Sequence, residues 1–368
     1  MTVYLDHNAT TPLLPSVKEA IADLMDLPLN SSAVHSYGRE AKMLVEKARG
    51  MVADLIGADD RYQIIFTATG TEANNLALHG THYNKVCSNI EHASVFNCIG
   101  QGLIPVDNHG VIKLDELEKI ASSSAEKLLI SLMSANNETG VIQPLKEAVA
   151  IAHKYGHLIH SDATQSIGRI DFNISELDLD MTTVSSHKMG GPFGAAALVY
   201  KKDITVTPIM HGGGQEFRIR PGTLNTRAIY GFGVAAGVAK NIIGNFEKIA
   251  DLRNYLDAKI QGICPTTIIF GKEALRLPNT SSFTMPNVSN ETQLIHFDIN
   301  HIAISAGAAC SSGKIDLPRV QMSMGYSEEV ARTSIRVSMG YNTSKADVDK
   351  FIATWNELYT KNNMLEAA

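Results

Sequence analysis

The sequence predicts an α/β protein, in which a large domain built on a mostly parallel sheet is followed by a smaller α+β domain. Short apolar runs alternate with helical stretches from about residue 63 to residue 200, the pattern of strands and covering helices. No internal repeat, low-complexity segment or Pro/Ser/Gly-rich linker interrupts it. Near residue 245 the character changes, as helical sequence leads toward a looser stretch rich in Pro, Asn and Ser at 278–290. A chain of 368 residues with 44% hydrophobic and 19% charged content exceeds one minimal core. The expected division is a large domain over 13–245 and a smaller one over 246–368, which residues 1–12 join.

The elements follow in order. Val17, Ile21, Leu24 and Met25 recur at helical spacing, as do Ala41, Leu44, Val45, Ala48, Met51, Val52 and Leu55, where Gly57 supplies a stop. Strands are expected at Gln63 to Thr67, Leu128 to Met133, His157 to Ser161, Met181 to Ser185 and Ala195 to Tyr200, with a helix from Leu145 to Tyr155 ending at Gly156. In the C-terminal part a strand is expected at Thr267 to Phe270 and a helix from about Ser344 to Tyr359.

Composition excludes several classes of function. The 32 basic and 38 acidic residues give a net charge of −6 with no long basic run, which argues against direct nucleic-acid binding. No apolar stretch approaches the ~20 residues that span a bilayer, and the N-terminus lacks the features of a signal peptide, so no membrane association and a cytoplasmic location are expected. Cys87, Cys98, Cys264 and Cys310 are widely spaced without a CxxC pair. They read as thiols, neither a zinc cage nor a disulfide framework.

Asp162 and Lys188 stand at the ends of two of the expected strands, flanked by apolar runs and by short hydroxyl, amide and imidazole side chains. That pairing reads as a site for pyridoxal 5'-phosphate. The cofactor needs a lysine amine to bond its aldehyde and a carboxylate against its pyridine nitrogen. The run Thr67 to Asn74 follows a strand and opens a helix, so the amides of Gly70 and Thr71 and the Thr71 hydroxyl suit a phosphate at the positive helix end. By itself this run also reads as a turn and cap. Asn137, in Asn136-Asn137-Glu138-Thr139-Gly140, falls at the same sheet edge, where open α/β sheets bind ligands, although the segment also reads as a plain turn. Gln165 suits the cofactor's phenolate oxygen, and Ser185 and His187 suit its phosphate. His92 suits stacking on the ring and proton transfer, since imidazole titrates near neutrality. Cys310 lies among small residues, where a thiolate has room to swing toward a substrate and accept a sulfur atom.

With these residues in place, the chain resembles the cysteine desulfurases, the NifS/IscS-like branch of the fold-type I pyridoxal phosphate enzymes. The match runs nearly end to end. It includes YLDHNATTP at 4–12, VHSYGREA at 34–41, TGTEANN at 69–75, EHA at 91–93, NNETG at 136–140, SDATQS at 161–166, SSHKMGGP at 185–192, HGGGQE at 211–216, RPGT at 220–223, GAACSSG at 307–313 and SIRVSMG at 334–340. The resemblance implies that Lys188 is the Schiff-base lysine, Asp162 the pyridine-nitrogen partner, Gln165 the phenolate donor and His92 the stacking acid/base. It implies a phosphate cup of Gly70, Thr71, Ser185 and His187, completed by Thr223 from the second subunit of a homodimer. Asn137 and Arg336 would hold the substrate, and a guanidinium fork suits its α-carboxylate, though Arg336 also reads as a structural ion-pair residue.

The implied reaction removes sulfur from L-cysteine, giving L-alanine and a persulfide on Cys310. An acceptor protein, an iron–sulfur scaffold or a tRNA-thiolation enzyme, would then receive the sulfur. No resident metal is implied, although Cys310 would contact an iron–sulfur cluster transiently. The long segment between Cys310 and Arg336, and RPGT in place of the RxGHxC-type motif of the SufS-like branch, favour the NifS/IscS-like side. Two departures stand out. Asn30-Ser31-Ser32 replaces the usual Asn-Pro-Ser, and the tail from Asn362 is short for docking an iron–sulfur scaffold. The rival readings are a related carbon–sulfur or selenocysteine lyase, which would not require Cys310, and a sulfur-relay accessory protein of low activity.

Overall fold

The computed structural model describes residues 2–100, 104–306 and 318–366. Its strands are β1 (Val3–Tyr4), β2 (Tyr62–Thr67), β3 (Asn84–Cys87), β4 (Leu128–Ser131), β5 (Leu158–Asp162), β6 (Met181–Ser185), β7 (Ala196–Lys201), β8 (Thr280–Thr284), β9 (Ile302–Ala303) and β10 (Ser334–Ser338). The main sheet has the order β2-β7-β6-β5-β4-β3. Strands β3 to β6 are parallel, and β7 runs antiparallel to both β6 and β2.

Both faces of the sheet are covered, and β4 and β7 accordingly read as nearly unbroken apolar runs. Alternation along each strand sorts the side chains. Ile64, Phe66, Ile130, Ala197 and Val199 pack with Val45, Ala48 and Val52 of the helix Ser36–Ile56 and with Ile229, Phe232 and Ala236 of the helix Thr226–Ile242. On the opposite face Ile65, Leu129 and Leu198 meet Ala73, Leu76 and Ala77 of the helix Gly70–His79. The carboxyl ends of β2 to β6 therefore share one edge, and the residues that follow them are brought together there.

A second core gathers Leu5 with Phe246, Leu256, Phe283, Phe297, Ile335, Phe351 and Trp355. It lies between the antiparallel pair β8/β10, the parallel pair β1/β9, and the helices Phe246–Ile263, Asn290–Ile299 and Lys345–Glu366. The N-terminal segment joins the two cores: Val3 pairs with Ile302, while Thr11 and Leu14 donate backbone hydrogen bonds to His187 O and Gly190 O. Phe270, Val320 and Met324 pack into the first core despite their place in the C-terminal part of the chain.

Several expectations need correction. The helix expected through Met25 ends at Ala22, and the strand expected at Thr267 to Phe270 is a single bridge from Ile269 to Phe283. The looser stretch at 278–290 contains β8, whose residues are all buried. Its Thr and Ser side chains read as loop, but those of Thr280, Ser281 and Thr284 are bonded inside the protein. Ser281 Oγ donates to Asp257, itself paired with Arg276, and Ile268 N donates to Thr284 Oγ1. The short strand β3 was not anticipated, because its two outer residues, Asn84 and Lys85, are polar. The last helix runs to Glu366, so the residues from Asn362 continue it. Among the described residues no helix is long and apolar enough to cross a membrane.

His160 shows how a polar residue fits inside the sheet. Fully buried in β5, it sets Nδ1 2.8 Å from Ser131 Oγ and Nε2 3.1 Å from Thr183 Oγ1. Burial pushes its imidazole down to about 4. An unfolded histidine titrates near ~6.5, so the unfolded chain binds this proton first, and the stabilisation is lost as pH falls from about 6.5 to about 4. Replacing His160 by asparagine should therefore shrink the loss of stability between about pH 7.5 and pH 5 by about 2 kcal/mol. Urea titrations of the two proteins at both pH values measure this, and equal losses would contradict it.

Candidate functional site

At the carboxyl edge of the sheet lies a cleft of about 300 Å³. Thr69, Gly70, Thr71, Asn74, His92, Asn137, Asp162, Gln165, Ser185, His187 and Lys188 contribute to its lining. All the residues singled out in the sequence for binding the cofactor are there except Thr223, which lies exposed outside the cleft. Cys310 lies outside the described residues.

Each wall has a local cause. Thr69 caps the helix Gly70–His79 by accepting from Glu72 N at 3.1 Å, while Glu72 Oε2 accepts from Ala68 N at 2.8 Å. This satisfies the cap and leaves the first-turn amides of Gly70 and Thr71 without intrahelical acceptors at the positive helix end. A Cβ at Gly70 would lie 3.5 Å from Ser185 Cβ and 3.6 Å from Thr164 Oγ1, so three chain segments converge on one spot suited to an anion. The run is thus a turn and cap that also lines the cleft. The same is true of the Asn-Asn-Glu-Thr-Gly segment. Asn136 Oδ1 accepts from Glu138 N and Thr139 N at 2.9 Å to make the turn, which leaves Asn137 to face the cleft.

Asp162 ends β5 with little exposure. Its Oδ2 accepts from Asn74 Nδ2 at 2.8 Å and its Oδ1 from Thr164 N at 3.0 Å. Asn74 Nδ2 also donates to Ser94 Oγ at 2.8 Å, and Ser94 Oγ is 2.8 Å from His92 Nδ1. His92 caps the following helix by accepting from Ser94 N at 3.2 Å, so its proton sits on Nε2. Burial holds this imidazole below its usual value, and Asp162 opposes that shift. A neutral ring with a defined tautomer is the result.

Lys188 follows β6 on a short 3₁₀ turn, Ser186–Lys188. Its Nζ donates to Asn8 O at 2.5 Å and Ala9 O at 2.9 Å, carbonyls of the N-terminal segment. Burial, followed by the charges of Arg169 and Arg336, pulls its amine down to about 7, while Asp162 and Asp6 act in the other direction. A lysine that is partly uncharged near neutrality is a nucleophile. Burial likewise brings His187 down to about 4, and its Nδ1 stands 3.2 Å from Thr10 Oγ1.

Arg336, in β10, is both an ion-pair residue and a neighbour of the cleft. Its Nη2 donates to Asp6 Oδ1 at 2.7 Å and its Nη1 to Asn137 O at 3.0 Å. Its Nε has no partner among the described residues. Asn8, Asn74, Ser94 and Arg169 went unremarked in the sequence reading of the site. Asn74 carried a signal, since it lies one helical turn after Gly70; Arg169, in a turn segment, carried none.

Comparison with known proteins supplies the family. Residues 3–351 match the family described as aminotransferase class-V. The chain belongs to that family. Among its class-V relatives is a cysteine desulfurase IscS from Dictyoglomus turgidum, 35% identical over 364 residues, covering 94% of this chain and 92% of the relative. A NifS-like protein from Rickettsia africae has a structure that superposes with a TM-score of 0.93 at 39% identity, covering 98% of this chain and 100% of the other. A structure described as SspA in complex with cysteine gives a TM-score of 0.77 at 28% identity, covering 92% and 99%. The donor set fits the pyridoxal 5'-phosphate of a class-V enzyme: a partly uncharged amine, a carboxylate held by two donors, a neutral imidazole and free helix-start amides line one cleft.

Proposed function

We propose that this chain is a cysteine desulfurase, converting L-cysteine to L-alanine and passing the sulfur on through a persulfide at Cys310. The observation that carries the reading is the meeting of Lys188, Asp162 and His92 in one cleft, in a chain similar over nearly its whole length to cysteine desulfurases.

When bound, pyridoxal phosphate supplies an electron sink for charge developing on the substrate carbons. Lys188 would hold the cofactor's aldehyde, and its amine, with proton affinity lowered to about 7, could take up or give a proton near neutral pH. Asp162, held in place by Asn74 and Thr164, would pair with the pyridine nitrogen. His92 would stack on the ring, with its Nε2 proton available for transfer. Gly70, Thr71, Ser185 and His187 bind the phosphate, and Gln165 the phenolate oxygen. Asn137 and Arg336 orient the α-carboxylate of the substrate. The Cys310 thiolate forms a bond to the substrate sulfur as the carbon–sulfur bond breaks, and the electron pair left on carbon takes up a proton to complete alanine.

A homodimer belongs to this proposal. Val34, Phe193 and Phe217 are 89%, 71% and 55% exposed, and Tyr37, Met43 and Met210 are exposed near them in sequence, which suits an apolar contact between copies. Thr223, exposed outside its own chain's cleft, would reach the cleft of the second copy. A division near residue 245, with residues 1–12 joining the C-terminal part, is likewise proposed, and the second core around Leu5 and Trp355 supports it. The sulfur acceptor is an iron–sulfur scaffold or a tRNA-thiolation protein, and the free thiols at Cys87, Cys98 and Cys264 suit a cytoplasmic setting.

The test is alanine and persulfide formation from L-cysteine with added reductant. Cys310→Ala should lose both, by ~10³-fold or more, while retaining the absorbance of the bound cofactor. Full-rate turnover by Cys310→Ala would replace this reading with that of a lyase.

A further inference from the structure

Behind Lys188 lies Arg169, only 3% exposed and hydrogen-bonded entirely to neutral oxygens. Its Nη1 donates to Asn8 Oδ1 at 2.9 Å, Gln165 O at 3.2 Å and Gln165 Oε1 at 2.5 Å. Its Nη2 donates to His7 O at 3.0 Å and Lys188 O at 3.4 Å. Among the described residues no carboxylate pairs with it, and the charged group that acts on it is another cation, Arg336. A buried guanidinium without an anion is costly, so a chain that carries one has a use for the charge or for the geometry.

The geometry has a direct consequence for Gln165. Arginine has only donors, so the amide atom that faces Arg169 must be oxygen. The nitrogen of Gln165 is then the other end, bonded to Asn8 O at 3.1 Å with one N–H to spare, and Gln165 lines the cleft. Reversing the amide would set N–H against N–H.

We propose that Arg169 is a positioning residue of this site: a buried cation that orients the Gln165 amide as a donor toward the cleft and places fixed positive charge behind Lys188. The proposal rests on the cofactor site described above and assigns a role to a residue that lies outside the cleft lining. Positive charge there disfavours a proton on the Lys188 amine and favours the anionic oxygens of a bound cofactor and substrate. Other charges also face Lys188. Arg336 acts in the same direction as Arg169, Asp162 and Asp6 oppose them, and burial keeps His92, His187 and His7 from adding positive charge.

The test compares wild type with Arg169→Met, Arg169→Gln and Arg169→Lys. Two readouts are used: the pH dependence of Lys188 acylation in the cofactor-free chain, followed by mass spectrometry, and the pH dependence of the absorbance of the cofactor-loaded chain. Both neutral variants should raise the Lys188 midpoint by about one pH unit or more, and Arg169→Met, which no longer holds the Gln165 amide, should also move the absorbance maximum. Arg169→Lys, which keeps the charge, should remain closer to wild type. Should Arg169→Met fail to fold, Arg169→Gln, which retains two amide donors for the neighbouring carbonyls, carries the comparison. If the wild type takes up no pyridoxal phosphate, the proposal falls together with the reading of the site. If the wild type loads normally and a folded neutral variant leaves both midpoint and absorbance unchanged, the proposal falls alone.

Discussion

Lys188→Ala is expected to lower alanine formation from L-cysteine by at least ~10³-fold and to remove the absorbance of lysine-bound pyridoxal phosphate. The size of the effect follows from position. The amine sits where the end of β6 meets the N-terminal segment, held by the carbonyls of Asn8 and Ala9, with its proton affinity lowered to about 7. A free amine in solution offers neither that placement nor that fraction of uncharged nucleophile at neutral pH. Gly70, Thr71, Asp162 and His92 remain in the variant, so it should still take up the cofactor, without the covalent bond. Turnover within tenfold of wild type, with the lysine-bound absorbance retained, would show that another amine does this work.

Asp162→Asn is expected to cost ~10²–10³-fold in kcat/KM, with a shifted cofactor absorbance. The replacement keeps size and shape but removes the negative charge proposed to face the pyridine nitrogen. It also disturbs the local bonding. In the native chain both carboxylate oxygens accept, one from Asn74 and one from Thr164. An asparagine has only one acceptor for those two donors, so its amide nitrogen must face one of them. The disturbance extends through Asn74 and Ser94 to His92, which shares the network. Steady-state kinetics with absorbance spectra of the loaded protein check this. An unchanged spectrum would mean that Asp162 does not face the ring.

The residues lining the cleft were legible in the sequence to the extent that they sit at strand ends. Asp162, Ser185 and Lys188 follow apolar runs, and the parallel order of β4, β5 and β6 brings such ends to one edge. Gly70, Thr71 and Asn137 were legible as turn and helix-start residues, and the fold makes them turn and cleft residues at once. β8 was misread because its Thr and Ser residues look solvated until Asp257 and the backbone of Ile268 are packed against them.

Local pattern by itself determined the class of fold and pointed to the chemistry: the apolar strand runs, the helix-start amides, and a Lys and an Asp at strand ends that suit a pyridoxal enzyme. Tertiary structure decided the charge and orientation of those groups. Lys188 is partly uncharged because burial, Arg169 and Arg336 surround it. Gln165 presents a donor because Arg169 holds its oxygen, and His92 carries its proton on Nε2 because Ser94 takes up Nδ1. Asn8 and Arg169 meet Lys188 from distant parts of the chain. Desolvation and hydrogen-bond direction depend on what is packed against a group from every side, and sequence spacing records only the neighbours along the chain.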